Sequence, residues 1–226
     1  PPYRYSAAVY GVFSDDGTRV ITQFYPGPPQ IWKIDNGDAV EVTPSDKSDL
    51  YRQMAMQAAS WAIIRRDDKG CEVWDAFRGE RIATLSGQLR NVNRVVRSHD
   101  GALVLAMSYE EGAALWALPA GRQLAAIGDE STRIYNATFS YDNSRFAAVH
   151  LSRGISVWDV ATGAEVSRFE CGGHVIGVAF DPSGKYIATH AEGAWSELWD
   201  IDTGERVAVL RGMDAGVSAA EFSPDG

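Results

Sequence analysis

The stretch Leu198-Trp199-Asp200-Ile201-Asp202-Thr203-Gly204-Glu205 decides the fold, because the rest of the chain consists of variants of it. A tryptophan recurs at Trp158, Trp116, Trp74 and Trp32, at steps of 41, 42, 42 and 42 residues. Each tryptophan is followed by a glycine: Gly204, Gly163, Gly121, Gly79 and Gly37. Self-similarity at this period means one supersecondary unit used repeatedly around a continuous core, so chain length is no guide to domain number.

Outward from that stretch, each unit reads as four short strands. In the first, residues 8–14, 19–24, 30–34 and 39–43 are the strands. Between them lie the turn Ser14-Asp15-Asp16-Gly17, the stiff loop Tyr25-Pro26-Gly27-Pro28-Pro29 and the turn Asp35-Asn36-Gly37-Asp38. The units span 8–49, 50–91, 92–133, 134–174 and 175–216, and a sixth starts at 217–226. In the second, residues 50–57 are expected as its first strand, and Ala58-Ala59-Ser60 stands where the glycine turn belongs. In the fourth, Asn143 stands there, and Asn tolerates positive φ better than other non-glycine residues. Second strands such as Leu103-Val104-Leu105 and Phe146-Ala147-Ala148-Val149 are apolar without alternation, as in sheets covered on both faces. First strands carry small residues (Ala8, Ala137, Ala179, Ala219, Ala220), which suit strands crowded around an axis.

Hydrophobic residues make up 45% of the 226, ample for a packed interior, so disorder is excluded. The net charge is −9 and no run of five like charges occurs, which argues against nucleic acid or an acidic membrane as the main partner. Two cysteines, Cys71 and Cys171, cannot build a disulfide framework. No apolar run approaches the roughly 18 to 20 residues that span a bilayer. The start, Pro1-Pro2-Tyr3-Arg4-Tyr5, has neither Met nor a signal-peptide core, so a cytoplasmic piece of a longer protein is expected.

Trp-Asp followed by Thr-Gly, with turns of the Phe-Ser-Pro-Asp-Gly kind every 42 residues or so, resembles the WD-repeat β-propeller family. The Trp-Asp pair is intact at Trp74-Asp75, Trp158-Asp159 and Trp199-Asp200, and altered at Trp32-Lys33 and Trp116-Ala117. The resemblance implies an all-β propeller of four-stranded antiparallel blades in one incomplete domain over 1–226. The chain holds about five complete blades plus the first strand of a sixth, expected as part of a seven-bladed ring that lacks about two. The family often carries a buried polar set in each blade: a His before the first strand, a Ser or Thr on the second, an Asp in the following loop and the Trp. Here the His position reads Gln88, Glu130 and Met213, with Cys171 nearest in the remaining loop. The second-strand position reads Arg66, Ser108, His150 and Ala191, and the loop acid survives as Asp68 and Glu110. No repeat has the full set, so rigidity is expected from burial of the tryptophans.

Candidate chemistry resolves into ordinary structure. Cys171-Gly172-Gly173-His174 offers two metal ligands and lacks two more, so no metal or cofactor is expected. Gly184-Lys185 lacks the earlier glycine and the following hydroxyl residue of a phosphate loop. Asn136-Ala137-Thr138 matches a glycosylation sequon but falls on a first strand, where it is inaccessible. A quinoprotein-type propeller enzyme would place its tryptophan after the glycine, where Phe169 and Leu210 stand, and needs a convergent cluster that is not evident.

The leading expectation is a non-catalytic scaffold that binds a protein or peptide on the loop-bearing face. Candidate contact residues there are Arg66, Arg90, Tyr109, Arg133, Arg153, Trp195 and Asp214, since hot spots favour Trp, Tyr and Arg. Trp195 lies outside the repeating pattern and either presents to a partner or folds back over the fifth repeat. The alternatives are a regulatory or sensing module acting on a sibling domain of the same chain, and the propeller enzyme.

Overall fold

The computed structural model describes residues 8–14, 16–24, 30–40, 61–66, 70–75, 80–85, 92–108, 110–128, 133–151, 154–191, 195–211 and 220–223. Among them are nineteen strands and no helix, hence none long and apolar enough to cross a membrane. The chain divides into two compact units, Pro1–Ser86 and Gly87–Gly226.

In the first unit, β1 (Ala8–Phe13), β2 (Arg19–Phe24), β3 (Gln30–Lys33) and β4 (Ala39–Val40) form an antiparallel sheet in sequence order. Strands β5 (Trp61–Arg66), β6 (Gly70–Asp75) and β7 (Glu80–Leu85) form a second. The strand expected at 50–57 lies outside the described residues.

The second unit holds three four-stranded antiparallel sheets, again in sequence order. The first comprises β8 (Val92–Arg97), β9 (Leu103–Ser108), β10 (Gly112–Ala117) and β11 (Arg122–Ile127). The second comprises β12 (Ile134–Phe139), β13 (Arg145–His150), β14 (Gly154–Asp159) and β15 (Glu165–Glu170). The third comprises β16 (Val175–Phe180), β17 (Tyr186–Ala191), β18 (Ser196–Asp200) and β19 (Arg206–Leu210). Of the expected start of a sixth unit, 220–223 are described and lie in no strand.

The recurring tryptophan has a local cause. Third and fourth strands slip register immediately before it, between Val73 and Trp74, Leu115 and Trp116, Val157 and Trp158, and Leu198 and Trp199. A bulge at that point twists the strand and re-aims the indole. The aspartate after it closes the next turn: Asp159 Oδ1 accepts Thr162 N–H at 2.8 Å and its hydroxyl at 2.7 Å, and Asp200 Oδ1 accepts Thr203 N–H at 3.0 Å. The glycines follow because Gly163 and Gly204 sit at φ 68° and 73°, left-handed backbone that a side chain would strain.

The turn between first and second strands is built the same way each time. Ser98 donates its hydroxyl to Asp100 at 2.6 Å and Ser140 to Asp142 at 2.7 Å, while Leu103 N–H and Arg145 N–H donate back to those serine oxygens. In the last sheet the two residue types are exchanged: Ser183 donates to Asp181, and Tyr186 N–H donates to Asp181 at 2.6 Å. Asn143 adopts φ 59°, as its place in the pattern requires, and its Oδ1 accepts His99 N–H at 2.8 Å from the neighbouring sheet's turn. The His99 and Tyr141 rings stack there, 5.2 Å apart.

Within the second unit, β12 packs against β8, β9 and β16, so first strands of successive sheets are neighbours. Strand β13 alternates its loyalties. Phe146 and Ala148 belong to a core shared with Leu105, Leu115 and Ile127 of the preceding sheet, whereas Ala147 and Val149 join Phe180, Ile187 and Trp199 of the following one. Two buried faces at period 2 explain the unbroken apolar runs of the second strands.

Candidate partner-binding surface

Antiparallel order sorts the connections of the second unit to two ends of its sheets. One end carries the tight turns with aspartate and glycine. The other carries the loops between second and third strands and between successive sheets, as the pairings Ile134 to His150, Gly154 to Glu170, Val175 to Ala191 and Ser196 to Leu210 require.

At the loop end of the third sheet, Trp195 immediately precedes β18 and is 44% exposed. The guanidinium of Arg211, one residue past β19, lies 5.1 Å from its ring centroid. A cation is therefore held over the ring, which is itself partly exposed. Of the two placements open to Trp195, the structure shows it partly solvent-facing.

Three of the repeating tryptophans donate to polar side chains, two of them to the residue two positions earlier. Trp158 donates its indole N–H to Ser156 at 2.8 Å, and the same oxygen lies 2.6 Å from His150 Nε2. Burial holds His150 below the usual histidine range, with Arg168 adding to the effect and Glu165 opposing it. Trp74 donates to Glu72 at 3.1 Å, and Trp32 donates to Thr22 at 2.7 Å. Trp116 and Trp199 have no partner for Nε1 among the described residues. Glu72 and Glu197 are both buried, and each takes an arginine from the fourth strand: Arg81 at 3.0 Å and Arg206 at 2.7 Å. The sequence reading missed this device because it sought the family's polar positions only. The signal was there: the side chain two residues earlier on a strand shares the tryptophan's face, and Glu at that place coincides with Arg seven residues after the tryptophan in both repeats.

Loops between sheets are also tied down. Tyr135 donates its hydroxyl to the Val175 carbonyl at 2.8 Å and stacks on His174 at 6.0 Å. Asn136 of the sequon is half-buried on β12; its amide donates to the Ile176 carbonyl at 3.0 Å, and its oxygen accepts Ala137 N–H. Cys171 is buried, and burial together with Glu197 pushes its thiol up to about 12, so it stays protonated. Among the described residues no three His, Cys, Asp or Glu side chains converge as metal ligands.

The expected contact residues distribute unevenly. Arg133 is exposed at the loop end, and its carbonyl accepts Leu151 N–H at 2.9 Å. Arg66 ends β5, in the first unit, with its side chain outside what is described. Arg90, Tyr109, Arg153 and Asp214, like the repeat glycine Gly79, lie outside the described residues. Arg211 was not anticipated; it is the residue that partners Trp195 across the sheet end.

No family model matches the sequence, and no curated protein matches it.

Proposed function

We propose that this chain is a non-catalytic scaffold of the WD-repeat β-propeller kind that binds a protein or peptide at the loop end of its sheets. Four-stranded antiparallel meanders with neighbouring first strands are compatible with blades of a propeller. The observation carrying the binding role is Trp195: a large aromatic outside the structural repeat, presented on a rigid sheet end with an arginine over its ring. Tryptophan and arginine are the side chains that most often dominate protein interfaces. A cytoplasmic setting and a protein partner belong to the same reading, with a sequence of only two cysteines, too few for a disulfide framework, in its favour.

The test is affinity capture from the source cell, followed by binding measurements with the purified partner. Trp195→Ala is expected to weaken binding by roughly tenfold or more, as an interface hot spot does, with the unfolding midpoint unchanged. Equal affinity of the variant and the parent for every captured protein would remove Trp195 from the interface and, with it, the main support for this reading.

A further inference from the structure

Asn36-Gly37 is the single Asn-Gly pair in the sequence, and it lies in the turn that joins β3 to β4. The other repeats put Arg78, Ala120, Thr162 and Thr203 before the corresponding glycine. The turn is closed by two backbone bonds of 2.9 Å, Lys33 N–H to the Asp38 carbonyl and Gly37 N–H to the Lys33 carbonyl. Over this frame the Asn36 side chain folds forward: Oδ1 accepts Asp38 N–H at 3.0 Å, and Nδ2 donates to Asp38 Oδ2 at 2.9 Å. Asn36, Gly37 and Asp38 are all exposed, so water and hydroxide reach the turn.

A side-chain amide is an electrophile, and the backbone nitrogen of the next residue can attack it to close a five-membered imide. Two features of this turn favour that closure. Gly37 has no Cβ to flank the attacking nitrogen. The Asp38 N–H already bonds Oδ1, the atom that gathers negative charge as the tetrahedral intermediate forms, so a backbone donor is in place for the oxyanion. What opposes closure is the Gly37 to Lys33 bond, an exposed bond that opens locally. Asn136 and Asn143 are arranged otherwise: each is followed by a residue with a Cβ, and each is tied to a neighbouring strand or turn, through Ile176 and His99 respectively. At Asp100-Gly101 the Ser98 hydroxyl and the Ala102 N–H hold the carboxyl below the usual range, and an ionised carboxylate resists attack.

We propose that Asn36 is a site of spontaneous deamidation in the folded chain, with water as the co-reactant. Hydroxide takes the Gly37 amide proton, the nitrogen bonds to Asn36 Cγ, and the bond from Cγ to Nδ2 breaks, releasing ammonia once Nδ2 has taken a proton from water. Water then opens the imide. Opening at Cγ leaves an aspartyl residue at position 36; opening at the backbone carbonyl routes the main chain through Cγ and leaves an isoaspartyl residue. Either product replaces the Nδ2 donor with a second carboxylate beside Asp38, and the isoaspartyl form also lengthens the main chain inside the turn that Lys33 and Asp38 close. This inference is independent of the loop-end binding role.

The test is a time course of the 226-residue chain kept folded at mildly alkaline pH, with samples digested by trypsin and read by mass spectrometry. Residues 34–47 form one tryptic peptide in which Asn36 is the single asparagine. That peptide should gain one mass unit and split into aspartyl and isoaspartyl forms before any other asparagine peptide changes, at a rate that rises with pH. A parallel course in about 6 M guanidinium chloride supplies the unfolded reference, and the folded rate should lie within about tenfold of it. Asn36→Gln alters an exposed side chain, so this variant should fold with the parent's midpoint and its peptide should keep its mass. A folded rate further below the reference overturns the proposal, since the turn would then protect Asn36. Earlier conversion of another asparagine overturns it too, as does a mass gain that survives Asn36→Gln.

Discussion

Asn143 bonds across sheets: its side-chain oxygen accepts the backbone N–H of His99 at 2.8 Å while its own backbone sits at φ 59°. A glycine would satisfy the backbone and forfeit the bond. Asn143→Ala should cost about 1–3 kcal/mol, combining left-handed strain with the lost hydrogen bond, and Asn143→Gly about 1 kcal/mol. Urea denaturation of the three proteins checks the order; equal midpoints for the alanine and glycine variants would remove backbone strain from the account.

The buried carboxylate of Glu197 depends on Arg206, whose own side chain is half exposed. Removing the arginine strands the carboxylate, and partial solvent access moderates the penalty, so Arg206→Ala should cost about 1–3 kcal/mol. The exposed Arg168 to Glu165 pair, at 2.6 Å, is the contrast, and Arg168→Ala should change stability by under about 1 kcal/mol. Chemical denaturation of both variants compares the two pairs.

Gly177 leaves room for a ring. A Cβ there would lie 2.2 Å from His190 Cε1, so Gly177→Ala must displace the imidazole and should cost about 1–3 kcal/mol. Adding His190→Ala should recover part of that loss, giving a coupling energy in a double-mutant cycle. Strict additivity would mean that the ring is not what the methyl group meets.

His150 is buried, and its folded-state pKa is depressed. Above the ordinary value of about 6.5 both folded and unfolded chains carry it neutral, and it adds no pH dependence. Below that value the unfolded chain takes up a proton that the folded chain refuses until the lower folded pKa is reached, so stability falls as pH drops through this window. His190, also depressed by burial, adds in the same direction. Thermal midpoints between pH 7 and pH 5 should decline, and His150→Gln should flatten the slope; a slope unchanged by that substitution would place the dependence elsewhere.

The architecture was legible because its signals are periodic and local. Trp158 and Trp199 mark third strands, and the repeat boundaries at 134 and 175 fall on the first residues of β12 and β16, since short apolar runs between turn residues mark where strands lie. Asn143 was legible as a turn residue for the same reason. The polar support was not. Ser156 hydrogen-bonds Trp158 through a side chain two residues away, and Glu197 needs Arg206 from another strand, so their roles exist only once the register is known. Arg211 was hidden for a related cause. Nothing adjacent to it in sequence announces Trp195, and only the pairing of β18 with β19 brings them together.

Strand β13, which divides its side chains between two cores, serves two masters. A change that suits Phe146 to one neighbour shifts Ala147 against the other, so no sheet in the second unit can be retuned privately. Drift in the middle sheet must be answered in both of its neighbours, and the three would change as a lineage rather than as separate modules.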